Sequence, residues 1–249
     1  MNVSLYQAAS AMNATDRWQE TIAENLAASS IAGFKKQEFS FAGIAGGALH
    51  HSGTAPLKAM RHVLMPHGVS STSFQQGALR ATNNQTDLAI EGAAFFEVQL
   101  PNGAAAYTRD GEFHISAQGQ LVTKEGYLIL GNGGPIQLDL NNAGALTVSS
   151  TGDISQGSDL KGRLNLIEFN DPKLLARLSN GYFAPKDPNL NSEPSRTTTV
   201  RQGFLEAANT SPVTEMVSLI SAMRTFEANQ RVAQLHDERT GRMIQELTV

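Results

Sequence analysis

The two ends of the chain carry a helical pattern of apolar positions. Over residues 2 to about 32, the alternation of three and four residues passes through Leu5, Met12, Ile22 and Leu26. Residues at this spacing share one face of a helix, so the pattern predicts an amphipathic helix. No glycine or proline precedes Gly33 in this segment, and a glycine is a suitable helix stop. We therefore predict an N-terminal helical segment over 1–34.

The same alternation runs from Met216 to the end of the chain, so that a second helical segment is predicted over 209–249. Pro212 suits the first turn of this helix, because its missing N–H has no partner there. Polar residues interrupt the seam at Gln230, Asp237 and Thr240. A two-stranded coiled coil rarely tolerates so many polar seam positions, whereas a helix packed among several neighbours does.

The middle of the chain has a different pattern of apolar and polar positions. Residues 86–208 contain short apolar runs separated by glycines, which predicts a central antiparallel β-domain. Asn102-Gly103 and Asp110-Gly111 have the composition of tight hairpin turns, in which we expect each glycine to adopt a positive φ. Residues 35–85 are rich in glycine, serine, threonine and histidine with little period. They are predicted to be an extended linker or loop.

The predicted fold class is therefore α+β, with a helix at each end of the chain and a β-domain between them. Each helix would be about 45 Å long, at 1.5 Å per residue. The apolar face of a helix of that length is too long to be covered by a small β-domain. We expect the N- and C-terminal helices to pair as a coiled-coil-like inner domain and to contact other molecules.

Composition excludes several classes of protein. The 249 residues carry a net charge of −4, which argues against a dedicated nucleic-acid binder. There is no cysteine, so disulfides, thiolate metal sites and cysteine nucleophiles are absent. No apolar run is long enough to predict a membrane-spanning helix, and the N-terminus lacks the basic and apolar blocks of a secretory signal.

Three parts of the sequence contain residues of the types that form metal or phosphate sites. The histidines of the 50–67 stretch, which are His50, His51, His62 and His67, lack the spacing of a zinc hydrolase. The segment that starts at Asp139 resembles an EF-hand loop but has Ala143 and Ser150 at ligand positions. The glycines of 131–134 match no phosphate-binding loop. We therefore predict no catalytic residue, no cofactor and no metal site.

Three blocks of the sequence together resemble bacterial flagellar axial proteins, the rod and hook family. The first is Ile22-Ala-Glu-Asn-Leu-Ala27 followed by Gly33-Phe-Lys-Lys36, and the second is residues 86–131. The third is residues 203–238, with the core Arg224-Thr-Phe-Glu-Ala-Asn229. The chain departs from the family pattern at Ala28 and Ala32, over 208–213, and at Phe226, where the family has tyrosine.

The resemblance implies a structural protein, not an enzyme. It implies a subunit of the flagellar basal-body rod in the periplasm, which polymerises into the drive shaft between motor and hook. Its partners would be copies of itself, other rod proteins and, during secretion, the flagellar type III export apparatus, with no nucleic acid and no membrane insertion. The length leaves no room for the extra domains of hook proteins. Segments 133–136, 146–149 and 152–155 favour the proximal rod protein with a β-domain over the distal rod protein. A periplasmic adaptor or an enzyme with helical arms remains an alternative.

The resemblance and the helical pattern together give the candidate subunit-interface residues. They are Leu5, Met12, Ile22, Asn25, Leu26, Gly33, Phe34, Met216, Leu219, Met223, Arg224, Phe226, Glu227 and Asn229. Arg224, Glu227 and Arg231 have the spacing of an exposed ion-pair ladder on one helix. The same three residues are equally suited to setting the register between subunits.

Overall fold

The structure is a computed structural model that describes residues 3–48, 62–142, 144–187, 190–195 and 197–247. The chain forms two compact units. The first, the helical unit, comprises the described residues of 1–27, 37–71 and 211–249. The second, the β-unit, comprises those of 28–36 and 72–210. The fold class is α+β, as predicted.

Two helices and two strands build the helical unit. They are α1 (Val3–Ala27), β1 (Gln37–Ala48), β2 (His62–Thr72) and α2 (Pro212–Leu247). α2 begins at the proline that was predicted for its first turn. α1 ends at Ala27, ahead of the predicted stop, and Gly33 follows with a left-handed φ of 65°. α1 packs against both α2 and β1.

The sequence prediction of a linker or loop over 35–85 is wrong for much of this segment. β1 and β2 pair as a two-stranded sheet, and contacts with α1 explain why they form. Trp18 of α1 meets Phe41 of β1 edge to face, with ring centroids 5.7 Å apart. The Ser10 hydroxyl donates to the Pro66 carbonyl at 2.6 Å. Residues 49–61 of the predicted loop lie outside the described residues.

The β-unit holds the remaining strands. They are β3 (Leu79–Ala81), β4 (Leu88–Glu91), β5 (Phe95–Gln99), β6 (Ala105–Thr108), β7 (Phe113–Ile115), β8 (Leu121–Thr123), β9 (Leu128–Gly131), β10 (Gly134–Pro135), β11 (Leu146–Val148), β12 (Asp153–Gln156), β13 (Asp159–Arg163), β14 (Leu166–Phe169), β15 (Leu175–Arg177), β16 (Tyr182–Pro185), β17 (Ser192–Pro194), β18 (Thr199–Gln202) and β19 (Phe204–Glu206). Short 3₁₀ turns cover Pro172–Leu174 and Ser179–Gly181.

One large antiparallel sheet forms the body of the β-unit. Its main path is β15-β16-β6-β5-β9-β8-β7, with β10, β14 and β17 attached. β11, β12 and β13 form a smaller sheet. Two further pairs are non-local, because β4 pairs with β18 and β3 with β19. The first and last strands of the unit are therefore neighbours.

Two apolar clusters fill the β-unit. The larger includes Phe96, Phe113, Leu121, Ile129 and Ile154, all nearly inaccessible to solvent. The smaller is aromatic, with Phe95, Tyr107, Phe169 and Phe183 in edge-to-face contacts. Alternating strand residues supply these side chains, as the period of two in a strand requires.

Only one of the two predicted glycine turns is correct. Asn102-Gly103 joins the paired strands β5 and β6, and Gly103 has a φ of 83°. Asp110-Gly111 joins β6 to β7, which are not neighbours in the sheet. Gly111 is not among the residues of positive φ. It is instead confined by close packing, because a Cβ there would lie 1.6 Å from the Leu88 carbonyl oxygen.

Candidate assembly surface and chain junction

The buried face of α2 is the one that packs against α1, its principal neighbour. Its members recur at steps of four and three, as in a heptad pattern. Ala222 is fully buried, Glu215 at the start of the helix is also buried, and the other positions on this face are partly buried. These partly buried positions are Leu219, Phe226, Asn229, Ala233 and His236. A small residue at the most buried position lets two helix backbones approach closely.

A second apolar face of α2 is exposed. Val213, Met216, Val217, Ile220 and Met223 recur at helical spacing, and each remains about half exposed or more, from 49% for Met223 to 72% for Val213. We call these five residues the outer stripe. The sequence pattern assigned Met216 and Met223 to one seam together with Leu219 and Phe226. The structure divides that set between two faces of the helix.

The candidate residues of α1 lie on its inner side. Ile22 and Asn25 are buried, and Leu5, Met12 and Leu26 are partly buried. Asn25 forms two hydrogen bonds with β1, since its side-chain amide donates to the Gln37 carbonyl and its Oδ1 accepts from the Gln37 N–H, both at 2.8 Å. This asparagine therefore fixes the C-terminal end of α1 on the first residue of β1.

Gly33 and Phe34 lie within the β-unit. Phe34 is only 2% exposed, and the Arg177 guanidinium lies 4.4 Å from the centre of its ring. A Cβ on Gly33 would lie 2.2 Å from the Arg109 carbonyl carbon, so no larger residue fits there. Both residues are candidates for a subunit interface, and within the single chain they pack inside the β-unit.

The remaining candidates of α2 are polar. Arg224 and Glu227 are exposed, while Asn229 is partly buried. In the part of α2 that the structure describes, no ion pair joins Arg224, Glu227 and Arg231. The predicted ion-pair ladder is therefore not formed in this chain.

Three buried charged side chains meet in the β-unit, close to the places where the chain enters and leaves this unit. The Lys35 ammonium lies 2.5 Å from Glu206 Oε1, and both side chains have no solvent exposure. Arg109 Nη1 lies 3.3 Å from the other oxygen of the same carboxylate. Burial lowers the pKa of Lys35 and of Arg109, and the negative charge of Glu206 opposes both shifts. Nothing in the sequence pattern signalled this group, because its members are far apart in the chain.

Asn209 lies close to these three charged side chains and forms hydrogen bonds with the surrounding backbone. Its side-chain amide donates to the carbonyls of Ser73 and Gln75 at 2.9 and 3.0 Å. Its Oδ1 accepts from the Lys36 N–H at 2.7 Å, and its own N–H donates to the Phe34 carbonyl at 3.2 Å. The carboxamide therefore uses both of its donor hydrogens and its acceptor oxygen.

The described residues contain no arrangement that indicates a metal site. No group of three or more histidine or carboxylate side chains among them is placed to hold an ion. His67 lines an open cleft of about 380 Å³ in the helical unit, together with Ser10, Asp16, Arg17 and other polar residues. His50 and His51 lie outside the described residues. Within the part of the chain that the structure describes, no helix has an apolar stretch long enough to cross a membrane.

One carboxyl group of the β-unit has an unusual environment. Burial raises the pKa of Asp110 to about 6, and the nearby carboxylates of Glu112 and Glu125 add to the shift. Asp110 accepts a hydrogen bond from the Glu112 N–H at 3.0 Å, as in an Asx turn. The Tyr182 hydroxyl donates a hydrogen bond to the Glu125 carboxylate, and burial raises the pKa of this tyrosine. The hydrogen bond between Asp110 and Glu112 lies in the turn after β6.

The two long helices, the exposed apolar stripe on α2 and a β-unit that is closed by its own first and last strands define an α+β protein. Comparisons with known proteins identify its family. Residues 89–156 match the family described as the flagellar hook protein FlgE/F/G D1 domain. Residues 201–246 match the family described as the flagellar basal body rod FlgEFG protein C-terminal.

Whole-length relatives agree with these matches. The flagellar basal-body rod protein FlgG of Borreliella burgdorferi is 33% identical over 96% of both chains. The protein FlgF of Mesorhizobium japonicum is 34% identical, over 91% of this chain and 90% of its own. FlgF of Caulobacter vibrioides is 34% identical over 92% and 91%. The chain belongs to the family of flagellar basal-body rod proteins, which confirms the family and the structural rod function that were predicted from the sequence.

Membership places the protein in the flagellar basal body, as predicted. At the level of the family, it also supports a protein without catalytic activity. Relatives named FlgG and FlgF match at similar identity. Identity alone therefore does not decide which position in the rod the subunit takes.

Proposed function

We propose that the chain polymerises with copies of itself and with other rod proteins through its terminal helices, which pair as a coiled-coil-like inner domain. The single observation that carries this proposal is the outer stripe of α2. A monomeric protein rarely exposes a contiguous apolar surface of this kind, and such surfaces mark contacts with other chains. Among the described residues, α1 occupies the opposite face of the helix, and in this proposal another molecule covers the outer stripe.

The heptad spacing of the face toward α1 supports the coiled-coil-like pairing. The contact with neighbouring subunits is head-to-tail in this proposal, because a repeated contact that does not close into a ring generates a helical array. The remaining interface candidates of α1 and α2 would take part through the same helices. The chain reaches the periplasmic rod through the flagellar type III export apparatus.

Within the rod, we assign the chain to the proximal position. Support comes from the sequence segments 133–136, 146–149 and 152–155, which lie at the β9–β10 turn, in β11 and along β12. A density map of the intact basal body tests this assignment directly. A fit of this chain to the distal part of the rod would overturn it.

Introduction of a charge into the outer stripe tests polymerisation. Ile220→Glu places a carboxylate where a dry subunit contact is proposed, while the monomer keeps that position in water. We expect normal melting of the purified variant, normal export, and loss of rod assembly and motility in a strain that lacks the native protein. Thr225→Glu is the matched control, since Thr225 is exposed on the same helix and lies neither in the outer stripe nor on the face toward α1. Full motility of Ile220→Glu would contradict the proposal.

A further inference from the structure

Three segments of the β-unit meet at one place, which we call the junction: 33–36, 73–77 and 206–209. The chain passes from one compact unit to the other close to each of them, at 36/37, 71/72 and 210/211. The junction therefore sits at the ends of the connections that lead to β1, from β2 and to α2. Its geometry fixes where these connections leave the β-unit.

Polar contacts between distant parts of the chain hold the junction together. Glu206 accepts from Lys35 and Arg109 and, through Oε1, from the Gly77 N–H at 2.7 Å. The Lys35 ammonium also donates to the Gln75 carbonyl at 2.8 Å. Backbone hydrogen bonds join the same segments, from Gly33 N–H to the Glu206 carbonyl at 2.7 Å and from Ser73 N–H to the Lys36 carbonyl at 2.9 Å.

The junction differs in kind from the apolar core. Neither apolar cluster contains Lys35, Glu206 or Asn209. The junction touches the smaller cluster through Phe74 and Arg109, which both lie against the Phe95 ring. A buried charge without its partner is strongly unfavourable, whereas an apolar contact weakens gradually as groups move apart. To open a junction built on one shared carboxylate, all three charged groups would have to move into water together.

We propose that the junction is a latch that opens separately from the sheet of the β-unit, and that its closed state positions the connections so that α1 and α2 can assemble. The second half of this inference rests on the proposed polymerisation through α2. Lys35, Arg109, Glu206 and Asn209 are then positioning residues. They act on assembly through the segments that they hold and do not contact another subunit.

Asn209→Ala tests the latch with the smallest change. It removes the two donors to Ser73 and Gln75 and the acceptor for Lys36 while leaving the three charges in place. We expect hydrogen exchange at the amides of Gly33, Lys36 and Ala207 to accelerate at least about tenfold, which corresponds to the loss of roughly one hydrogen bond. Exchange in β8 and β9 should change by less than about twofold, because their buried side chains belong to the larger apolar cluster, which contains no junction residue.

Asn165→Ala is the matched control. Asn165 is an equally buried asparagine of the same unit, and its side chain binds Glu97 away from the junction. This variant should leave exchange at Gly33 and Lys36 unchanged, and it should keep motility. If Asn209→Ala failed to fold, Asn209→Ser, which keeps one hydroxyl group in place of the carboxamide, provides the same measurement with a smaller change.

The motility of cells that carry each variant is the second measurement of this test. Loss of motility by Asn209→Ala, with the sheet intact, supports the latch. Equal acceleration of exchange throughout the β-unit would overturn it, since the junction would then not open separately. Unchanged exchange at the junction would overturn it too, and an open junction with full motility would refute the positioning role. Ile220→Glu keeps the junction closed, so its motility reports on polymerisation alone and separates the failure of one proposal from that of the other.

Discussion

The ammonium of Lys35 and the carboxylate of Glu206 are 171 positions apart in the sequence and 2.5 Å apart in the structure. Neither side chain has any exposure to solvent. Glu206 is the carboxylate that both Lys35 and Arg109 contact. Removal of the acid therefore leaves two buried cations, whereas removal of Lys35 leaves a paired Arg109 and Glu206.

This asymmetry predicts unequal effects of two substitutions. Glu206→Gln should lower the free energy of unfolding of the β-unit by about 3–5 kcal/mol, and Lys35→Met by about 1 kcal/mol. The double variant should lose less than the sum of the two, because it no longer buries an unpaired lysine. Urea unfolding of the four proteins of this cycle measures the coupling. Equal and additive losses would show that the charges act independently.

Gly111 provides a prediction about backbone packing. Gly111→Ala should lower the free energy of unfolding by about 3 kcal/mol or more, because its Cβ would overlap the Leu88 carbonyl and force the chain apart. Thermal melting of the β-unit measures the loss. The cause is close contact and not a left-handed φ, so residues of any size other than glycine should be harmful.

Two other glycines act as controls for Gly111. A Cβ at Gly103 or at Gly133 would meet no atom within 4 Å, and only Gly103 has a positive φ. Gly103→Ala should therefore cost about 1 kcal/mol through backbone strain alone. Gly133→Ala should change stability by less than about 0.5 kcal/mol. If Gly111→Ala behaved like Gly133→Ala, the close approach of Gly111 and Leu88 would be incorrect.

Asp110 predicts a dependence of stability on pH. Its pKa rises from 3.8 to about 6 on folding, so the native state binds its proton more tightly than the unfolded state. This contribution to stability is complete below pH 3.8 and is lost as the pH rises through about 6. Glu112, Glu125 and Lys124 are the charged groups around it, and Tyr182 lies near.

Asp110→Asn removes this titration and retains an oxygen that accepts from the Glu112 N–H. The variant should be more stable than the native protein at pH 7.5 by about 1–3 kcal/mol, the equivalent of a shift of roughly two pH units. At pH 4.5 the two proteins should be closely similar in stability. Thermal melting at both pH values checks this, and a difference that is the same at both would rule out the raised pKa.

The sequence predicted the elements that have a long, regular pattern. The presence of α1 and the start of α2 at Pro212 follow from helical periodicity and turn chemistry, which are local properties. The pairing of β1 and β2 was missed because their glycines and alanines carry little pattern, and the pair is stabilised by α1 through contacts such as Trp18 with Phe41. Such a contact is tertiary and leaves no periodic signal.

The candidate site was predictable only in part, for two physical reasons. The apolar periodicity predicted Met216 and Met223 as buried positions of α2. The buried position on the face toward α1 is instead Ala222, because close packing of two helices favours a small residue. The apolar residues of the outer stripe show that α2 has two apolar faces, which a single seam does not describe. The latch residues were missed because lysine, arginine and glutamate are expected at the surface unless a partner from elsewhere in the chain neutralises them.

Ala222 separates the two faces of α2 in a final prediction. It is fully buried on the face toward α1, so Ala222→Leu should overpack this contact and cost about 1–3 kcal/mol in the stability of the helical unit. Ala228→Leu adds the same atoms to the same helix at an exposed position, and it should change stability by less than about 0.5 kcal/mol. Helical circular dichroism during thermal unfolding measures both. Equal melting of the two variants would mean that α1 does not pack on α2 in the isolated chain, and that the helices pair only in the assembled rod.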